Sequence, residues 1–327
     1  MIKAKFLALL AVLAVLVMLS IAIGTRHIPP ADVVRVLFGA RLPDVEGIVR
    51  GARIPRTALG LLVGMALGLA GAIMQALTRN PLADPGLLGI SSGAAFGVVI
   101  AIAGFGITTL YGYIWFAFGA AMITSVVVYL LGGIGRGATP AALALAGVAV
   151  SALLTSVTSG ISLVSPEALN RYRFWAAGSL AGQDLGLVWA VLPFILAGAI
   201  LAVAAAPELN SLALGEDVAS SLGRRTGLVR TKGAAAITLL TGASVAAIGP
   251  VVFLGLVVPH AARIITGPDH RWLLPFAAVL APILLLGADI LGRIIARPGE
   301  VNVGIVVAFL GAPCFIALVR RRRLAEP

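Results

Sequence analysis

Charge is what this sequence most lacks. Of its 327 residues only 11% are Asp, Glu, Lys or Arg, less than half of the roughly 25% usual in a soluble domain. Sixty per cent are hydrophobic and the mean hydropathy is +1.08. A water-soluble fold has no way to cover that much apolar surface with so few charges, and a disordered chain needs the opposite composition. Cysteine is nearly absent as well. Cys314 stands alone inside an apolar run, which excludes a disulfide framework and a cysteine zinc site. The three histidines, His27, His260 and His270, are far apart in sequence and no H-E-x-x-H occurs, which argues against metal catalysis. No G-x-x-x-x-G-K-[ST] is present, so the chain does not bind ATP through a P-loop. The Gly-rich stretch 132–137 follows an apolar helix rather than a strand and is no nucleotide fingerprint. The apolar runs hold almost no ionisable residue beyond His260, Arg263 and Asp289. Ion-coupled carriers place acidic or histidine relays at membrane depth. Their scarcity argues that the protein does not harvest an ion gradient; if it moves a solute uphill, the energy must enter from another subunit.

What is present is length and apolar continuity. Runs recur at about 6–24, 57–77, 87–106, 113–134, 141–163, 187–206, 233–249, 251–266, 272–289 and 303–319. A spanning helix needs about 20 apolar residues. The expectation is therefore a single all-α polytopic membrane domain with about ten transmembrane helices. Continuous rather than alternating runs exclude a β-barrel. The first run follows Lys3 and Lys5 with no small-x-small cleavage site behind it, so it reads as a retained helix rather than a signal peptide. The eighth contains Pro259, His260 and Arg263 and reads as a half helix. An even count starting inside puts both termini in the cytoplasm.

On that topology 14 of 24 basic residues lie inside, among them Arg320–Arg323 after the last run, as membrane orientation requires. The net charge of +11 then needs no nucleic-acid partner. The other ten are Arg26, Arg35, Arg41, Arg50, Arg53, Arg56, Arg171, Arg173, Arg293 and Arg297. All ten are arginine, the residue that pairs with carboxylates in planar forks. Two readings stay open: an acidic partner docks on the outer face, or these arginines pair with Asp44, Glu46, Glu167, Glu300 or lipid phosphates.

Three segments carry further information. The longest cytoplasmic connection spans 207–232. Within it, Gly215 precedes acids Glu216 and Asp217, while Gly223, Arg224 and Arg225 follow, a charge order that favours a short helix. Leu214, Val218 and Leu222 make one apolar stripe at i, i+4, i+8. That stripe is either a handle for a cytosolic partner or a helix lying on the bilayer surface. Gly60, Gly64, Gly68 and Gly71 put small residues on one helix face, which predicts close helix packing, most simply within the chain. Finally, Asn80-Pro81-Leu82-Ala83-Asp84-Pro85-Gly86 is a constrained turn at the membrane's inner edge, because proline fixes φ and restricts the residue before it. It serves either as a gate or as structural punctuation.

Long ordered motifs connect these segments. Arg53-Ile-Pro-Arg56, the glycine stripe ending at Gln75, and Arg79 through Gly89 come first. Trp175-Ala-Ala-Gly178-Ser179-Leu180, then Gly249-Pro250 to Arg263 with Asp269-His270-Arg271, follow. The end runs from Ala288-Asp289 through Arg293 to Gly311-Ala-Pro313-Cys-Phe315. Along nearly the whole chain the sequence resembles the permease subunits of iron-chelate/cobalamin ABC importers (FecCD type). The family often has Glu-Leu-Pro before the last helix, where Glu300-Val301-Asn302 stands here.

The resemblance implies a type II ABC importer permease of ten helices that works as a dimer with a second permease copy. Two cytosolic ATPase subunits, which use ATP and Mg, would bind below. A periplasmic or lipid-anchored substrate-binding protein would dock above. The chain itself would be no enzyme and would bind no cofactor or metal. By position the docking arginines are Arg53, Arg56 and Arg293. The coupling segment is Leu214, Gly215, Glu216, Val218, Ala219, Leu222 and Gly223, and the gate region holds Asn80, Leu82 and Thr139. The implied location is the bacterial inner membrane. The implied cargo is a ferric siderophore or haem, with cobalamin as the alternative. Two other classes remain: an ion-coupled secondary transporter, disfavoured by the missing intramembrane acids, and a membrane-embedded enzyme, for which no catalytic dyad is visible.

Overall fold

The computed structural model describes residues 2–133, 139–213, 215–221 and 225–323, and these are helical with no strand among them. The helices are α1 (Ile2–Ala22), α2 (Pro30–Leu37), α3 (Pro43–Ile48), α4 (Ile54–Thr78), α5 (Ile90–Phe105), α6 (Leu110–Gly132), α7 (Pro140–Val164), α8 (Pro166–Ala176), α9 (Leu185–Ala213), α10 (Glu216–Ser221), α11 (Thr226–Ile248), α12 (Leu254–Thr266), α13 (His270–Ile295) and α14 (Val303–Arg323). A π-turn at Val49–Arg53 joins α3 to α4.

Among the described residues, seven helical segments are long and apolar enough to cross a bilayer: α1, the continuous 43–78 unit, α6, α7, α9, α11 and α13. The runs at 87–106, 251–266 and 303–319 correspond to the shorter apolar helices α5, α12 and α14. Every run that the sequence marks is therefore helical, but three fall short of a full span by length or composition. One expectation needs correcting. The connection 207–232 is shorter than the sequence suggests, because α9 continues through Pro207 to Ala213 and α11 already begins at Thr226. Packing outweighs the proline here. Leu209 and Leu212 are buried, and Lys232 Nζ lies 3.0 Å from Glu208 Oε1, tying the two extended ends together.

α4 sits at the centre, against α9, α11, α12 and α13. Its glycine stripe is the reason that α13 and α12 can approach so closely. A Cβ on Gly64 would lie 2.6 Å from Pro282 Cα, and one on Gly71 would overlap the Gly255 carbonyl. In a bilayer such contact comes from van der Waals packing rather than from water exclusion. The stripe is thus used within the chain. Several helix starts obey local rules: Thr139 Oγ1 caps α7 by accepting from Ala142 N at 3.2 Å, and Ser165 Oγ caps α8 by accepting from Ala168 N at 3.3 Å. Each is followed by proline at the first helical position.

α7, like α1, is little covered by the rest of the bundle. Only 11% of its span is buried, with Leu145, Leu153, Leu163 and Val164 between 64% and 86% exposed. Between these apolar residues lie exposed Thr155, Ser156, Ser159 and Gly160.

Candidate functional site

At the end where α4 begins, three arginines from distant segments converge. Arg53 closes the π-turn, Arg56 lies in the first turn of α4, and Arg293 lies in the last turn of α13. They are not free surface cations. Arg53 is 4% exposed and donates to the carbonyls of Ile21 (2.9 Å), Ala22 (2.6 Å) and Arg26 (2.8 Å). It thereby satisfies the last carbonyls of α1, which a helix leaves without intrahelical donors. Arg293 is 2% exposed and donates to Ser20 O, Ile23 O and Ser20 Oγ at 2.7–2.9 Å.

Asp289, fully buried, holds the cluster together. Arg56 grips it through Nε at 3.0–3.1 Å and Nη2 at 2.6 Å, and Arg293 Nη2 reaches its other oxygen at 2.6 Å. Arg56 Nη1 also donates to Glu300 Oε2 at 2.7 Å. One carboxylate thus shares two guanidinium groups, and the second carboxylate covers the solvent side. Arg297 adds a bond from Nη2 to Gly24 O at 3.1 Å. Of the acids that sequence offered as local partners, Glu300 is in the cluster, whereas Glu46 pairs with Arg50 at 3.6 Å.

Pairing does not exhaust the positive charge. A cavity of about 110 Å³ opens beside the cluster, lined by Arg26, Arg53, Arg56 and Arg293 together with Gly24 and Gly182. Four arginines face two acids, Asp289 and Glu300, which leaves an excess of two positive charges.

The opposite end carries the other candidates. Arg79 ends α4 with φ of 48°, and α4 spans 25 residues, about 37 Å at 1.5 Å per residue. Asn80, exposed, accepts from Leu82 N at 2.9 Å through its side chain, and Leu82 is half-buried. The turn then dives inward. Asp84 Oδ1 accepts from Gly86 N at 2.8 Å and starts a single 3₁₀ turn, Pro85–Leu88. Pro85 lies against Gly255 and near Leu67, a residue about 16 Å up α4 from Thr78. The sequence reading placed this turn at the edge, but its tip lies beside the middle of α4 and brings Asp84 with it. The same turn meets α7, because a Cβ on Gly147 would overlap the Leu87 carbonyl. Thr139, at the start of α7, is exposed and acts as its cap.

Of the coupling segment, Gly215 (φ 113°) precedes the six-residue α10, and Ala219 is buried at 1% exposure. Leu214, Leu222 and Gly223 lie outside the described residues, as do the side chains of Glu216 and Val218, so the apolar stripe is not traced in the structure.

Residues 12–321 match the model of the FecCD transport family. The chain belongs to that family. It is 46% identical over 316 residues to the ferric enterobactin transport system permease protein FepD of Escherichia coli, covering 96% of this chain and 94% of that one. The hemin transport system permease protein HmuU of Yersinia pestis is 40% identical over 276 residues, 83% of this chain and 82% of that one. The cobalamin import system permease protein BtuC of Halobacterium salinarum is 37% identical over 330 residues, 97% of this chain and 88% of that one. Among solved structures, an inward-facing metal-chelate type ABC transporter chain superimposes with a TM-score of 0.87 at 27% identity, covering 98% of this chain and 99% of that one. As a FecCD-family chain it thus sits among relatives that are permease subunits of ABC importers.

Sequence reasoning named the three arginines but not Asp289 as the shared partner of Arg56 and Arg293. The signal was present: Asp289 and Arg293 are four apart, one helical turn on the same face. It also left Asp84 in a loop, where nothing in the local pattern shows that the loop re-enters the bundle.

Proposed function

We propose that this FecCD-family chain is the membrane permease of an ATP-driven importer carrying an iron chelate, a ferric siderophore or haem, across the bacterial inner membrane into the cytoplasm. It works as a dimer of ten-helix subunits with both termini cytoplasmic. Two cytosolic ATPase subunits supply ATP and Mg chemistry, and a periplasmic or lipid-anchored binding protein delivers the cargo. The chain contributes no catalytic group of its own.

The observation that carries this reading is the arginine-lined cavity of about 110 Å³ beside Asp289, set at the far end of α4 from the turn 79–89 and α10. An acidic side chain of the binding protein enters the cavity and is met by Arg26, Arg53, Arg56 and Arg293. Internal bonds hold the guanidinium groups of Arg53, Arg56 and Arg293 in place, so little side-chain entropy is lost on docking. The exposed face of α7 supports the dimer. Its leucines and valines suit a second copy or lipid, and its hydroxyl row, Thr155, Ser156 and Ser159, suits a shallow path for a bulky chelate. At the opposite end α10 meets the ATPase, and the turn bearing Asn80 and Leu82, with Thr139 at the base of α7, closes the path until the ATPases move it.

The relatives named for ferric enterobactin transport, hemin transport and cobalamin import make cobalamin the second reading of cargo. The deciding measurement is uptake into proteoliposomes that contain permease, ATPase and loaded binding protein. ATP-dependent accumulation of a ferric siderophore or haem is expected, with none by the permease alone. Accumulation by the chain alone, driven by an ion gradient, overturns the reading.

A further inference from the structure

At the Arg53 end of the bundle, α2 and α3 fold back onto the last turn of α1. Ile28, Val33, Val36 and Val49 form a small buried cluster of their own there, with Ile21 of α1 and Leu42 and Val45 packed against it. α1 runs 21 residues, about 32 Å at 1.5 Å per residue, close to the roughly 30 Å of a bilayer's hydrocarbon core. Because Ile21 lies in the last turn of α1, α2 is held at the level where hydrocarbon gives way to headgroups. Arg50 fixes it from the α3 side, donating from Nη2 to Val36 O at 3.0 Å.

The other face of α2 is turned away from the protein. Ala31, Val34, Leu37 and Phe38 are exposed, and their spacing puts them on one side of the helix, opposite buried Val33 and Val36. Phe38, 89% exposed, is the most exposed large hydrophobic side chain among the described residues. It does not belong to a frayed end. Gly39, at φ of 95°, donates from N to Val36 O at 3.2 Å, and Ala40 N donates to Arg35 O at 2.9 Å, the paired bonds of a glycine C-cap. Charge flanks the apolar row. The Arg35 side chain is 69% exposed, with only a 3.5 Å contact to Asp32, and exposed Arg41 forms no ion pair among the described residues. α1, against which α2 packs, is an apolar helix only 6% buried, so lipid reaches the place where α2 sits. An apolar row with an aromatic at its end and arginines beside it, held at headgroup level, is the pattern of a helix lying in the bilayer surface.

We propose that α2 is an interfacial anchor: Val34, Leu37 and Phe38 enter the acyl-chain border of the adjacent leaflet, while Arg35 and Arg41 pair with phospholipid phosphates. The anchor lies in the stretch of chain that leads to Arg53, so it fixes the rim of the arginine-lined cavity against the membrane. The contact depends neither on the cargo nor on which leaflet this end of the bundle meets.

The test uses the full-length permease in nanodiscs of phosphatidylcholine and phosphatidylglycerol, with Cys314→Ser and a nitroxide attached through Phe38→Cys. A label attached through Asp44→Cys, at an exposed position of α3, is the water-facing reference. Power-saturation EPR compares collisions with oxygen, which concentrates in lipid, and with a nickel chelate, which stays in water. The oxygen-to-nickel ratio is expected to be several-fold higher at position 38 than at 44. Adding Arg35→Gln and Arg41→Gln should lower the ratio at 38 by about half or more. All the substituted side chains are exposed, so the variants should melt with the parent. Equal ratios at the two positions put the row in water and overturn the proposal, as does a ratio unmoved by loss of both arginines. Dipolar broadening between labels at 38 assigns the face to a second copy, and immobilisation of the label by loaded binding protein assigns it to that partner; either result overturns it too. Because the assay contains no ATPase, such a failure leaves ATP-driven uptake standing or falling on its own measurement.

Discussion

Replacing Asp289 by Asn probes the arginine cluster most directly. The carboxylate is fully buried and takes four close contacts at 2.6–3.1 Å from Arg56 and Arg293. Asparagine keeps the shape, removes the charge and turns one acceptor into a donor aimed at guanidinium. Arg293, 2% exposed, then keeps only neutral acceptors, at Ser20, Ile23 and the residue-289 backbone carbonyl, and two positive charges face each other without the anion between them. Breaking a buried pair by removing one partner costs about 3–5 kcal/mol. Arg56 retains Glu300, which puts Asp289→Asn towards the lower end, about 3 kcal/mol. The assay is thermal and SDS unfolding of the purified permease in detergent, followed by tryptophan fluorescence. Adding Arg293→Met removes the stranded cation, so the double variant should be more stable than the sum of the two single losses. A loss below about 1 kcal/mol for Asp289→Asn, or strict additivity in the double variant, would refute the view that this carboxylate anchors the cluster.

Further outcomes follow from the packing and the loops. Gly71→Val forces side-chain atoms into the Gly255 carbonyl and should cut the yield of folded protein sharply, whereas Gly104→Ala, with open space around it, should match or slightly exceed the native melting temperature. Val218→Asp combined with Leu222→Asp should detach the ATPase in co-purification while the permease itself remains folded; normal co-purification removes the assignment of α10. Asp269 caps α13 by accepting from Arg271 N at 2.9 Å and also binds Asn210 at 2.6 Å. The Arg271 N–H, then the Asn210 amide, hold its carboxyl below the usual range. Asp269→Ala should cost about 1 kcal/mol at neutral pH. Because the folded value is depressed, that contribution is present above the unfolded value of about 3.9 and disappears as pH falls through the folded one. The melting curves of wild type and variant should therefore converge in acid, and a gap that persists there contradicts the capping role.

The family and the helical architecture were legible in the residues because both depend on local, repeated signals. Apolar runs, Thr139-Pro140 and Ser165-Pro166 caps, and the glycine stripe each act within a few turns. The clustered arginines Arg53, Arg56 and Arg293 were legible as types and positions. Their state was not, since Asp289 and Glu300 lie more than 230 residues away from Arg56 in sequence. The helical extent of the connection 207–232 was not legible either: α9 runs on through Pro207 to Ala213 and α11 begins at Thr226, with Leu209 and Leu212 buried and Glu208 paired to Lys232.

The sequence by itself determined that this chain is a polytopic helical membrane protein, without a P-loop of its own, that carries arginines in excess at one face. Composition and period decide such matters, because a bilayer accepts only helices whose backbone polar groups are satisfied internally. Only the tertiary structure decided which arginines are spent and which are not. It buried Arg53 and Arg293 around α1 and Asp289 and drew the Asp84 turn up beside Leu67. Charge pairing depends on distances between elements far apart in the chain, and those distances are set by where glycines let helices meet.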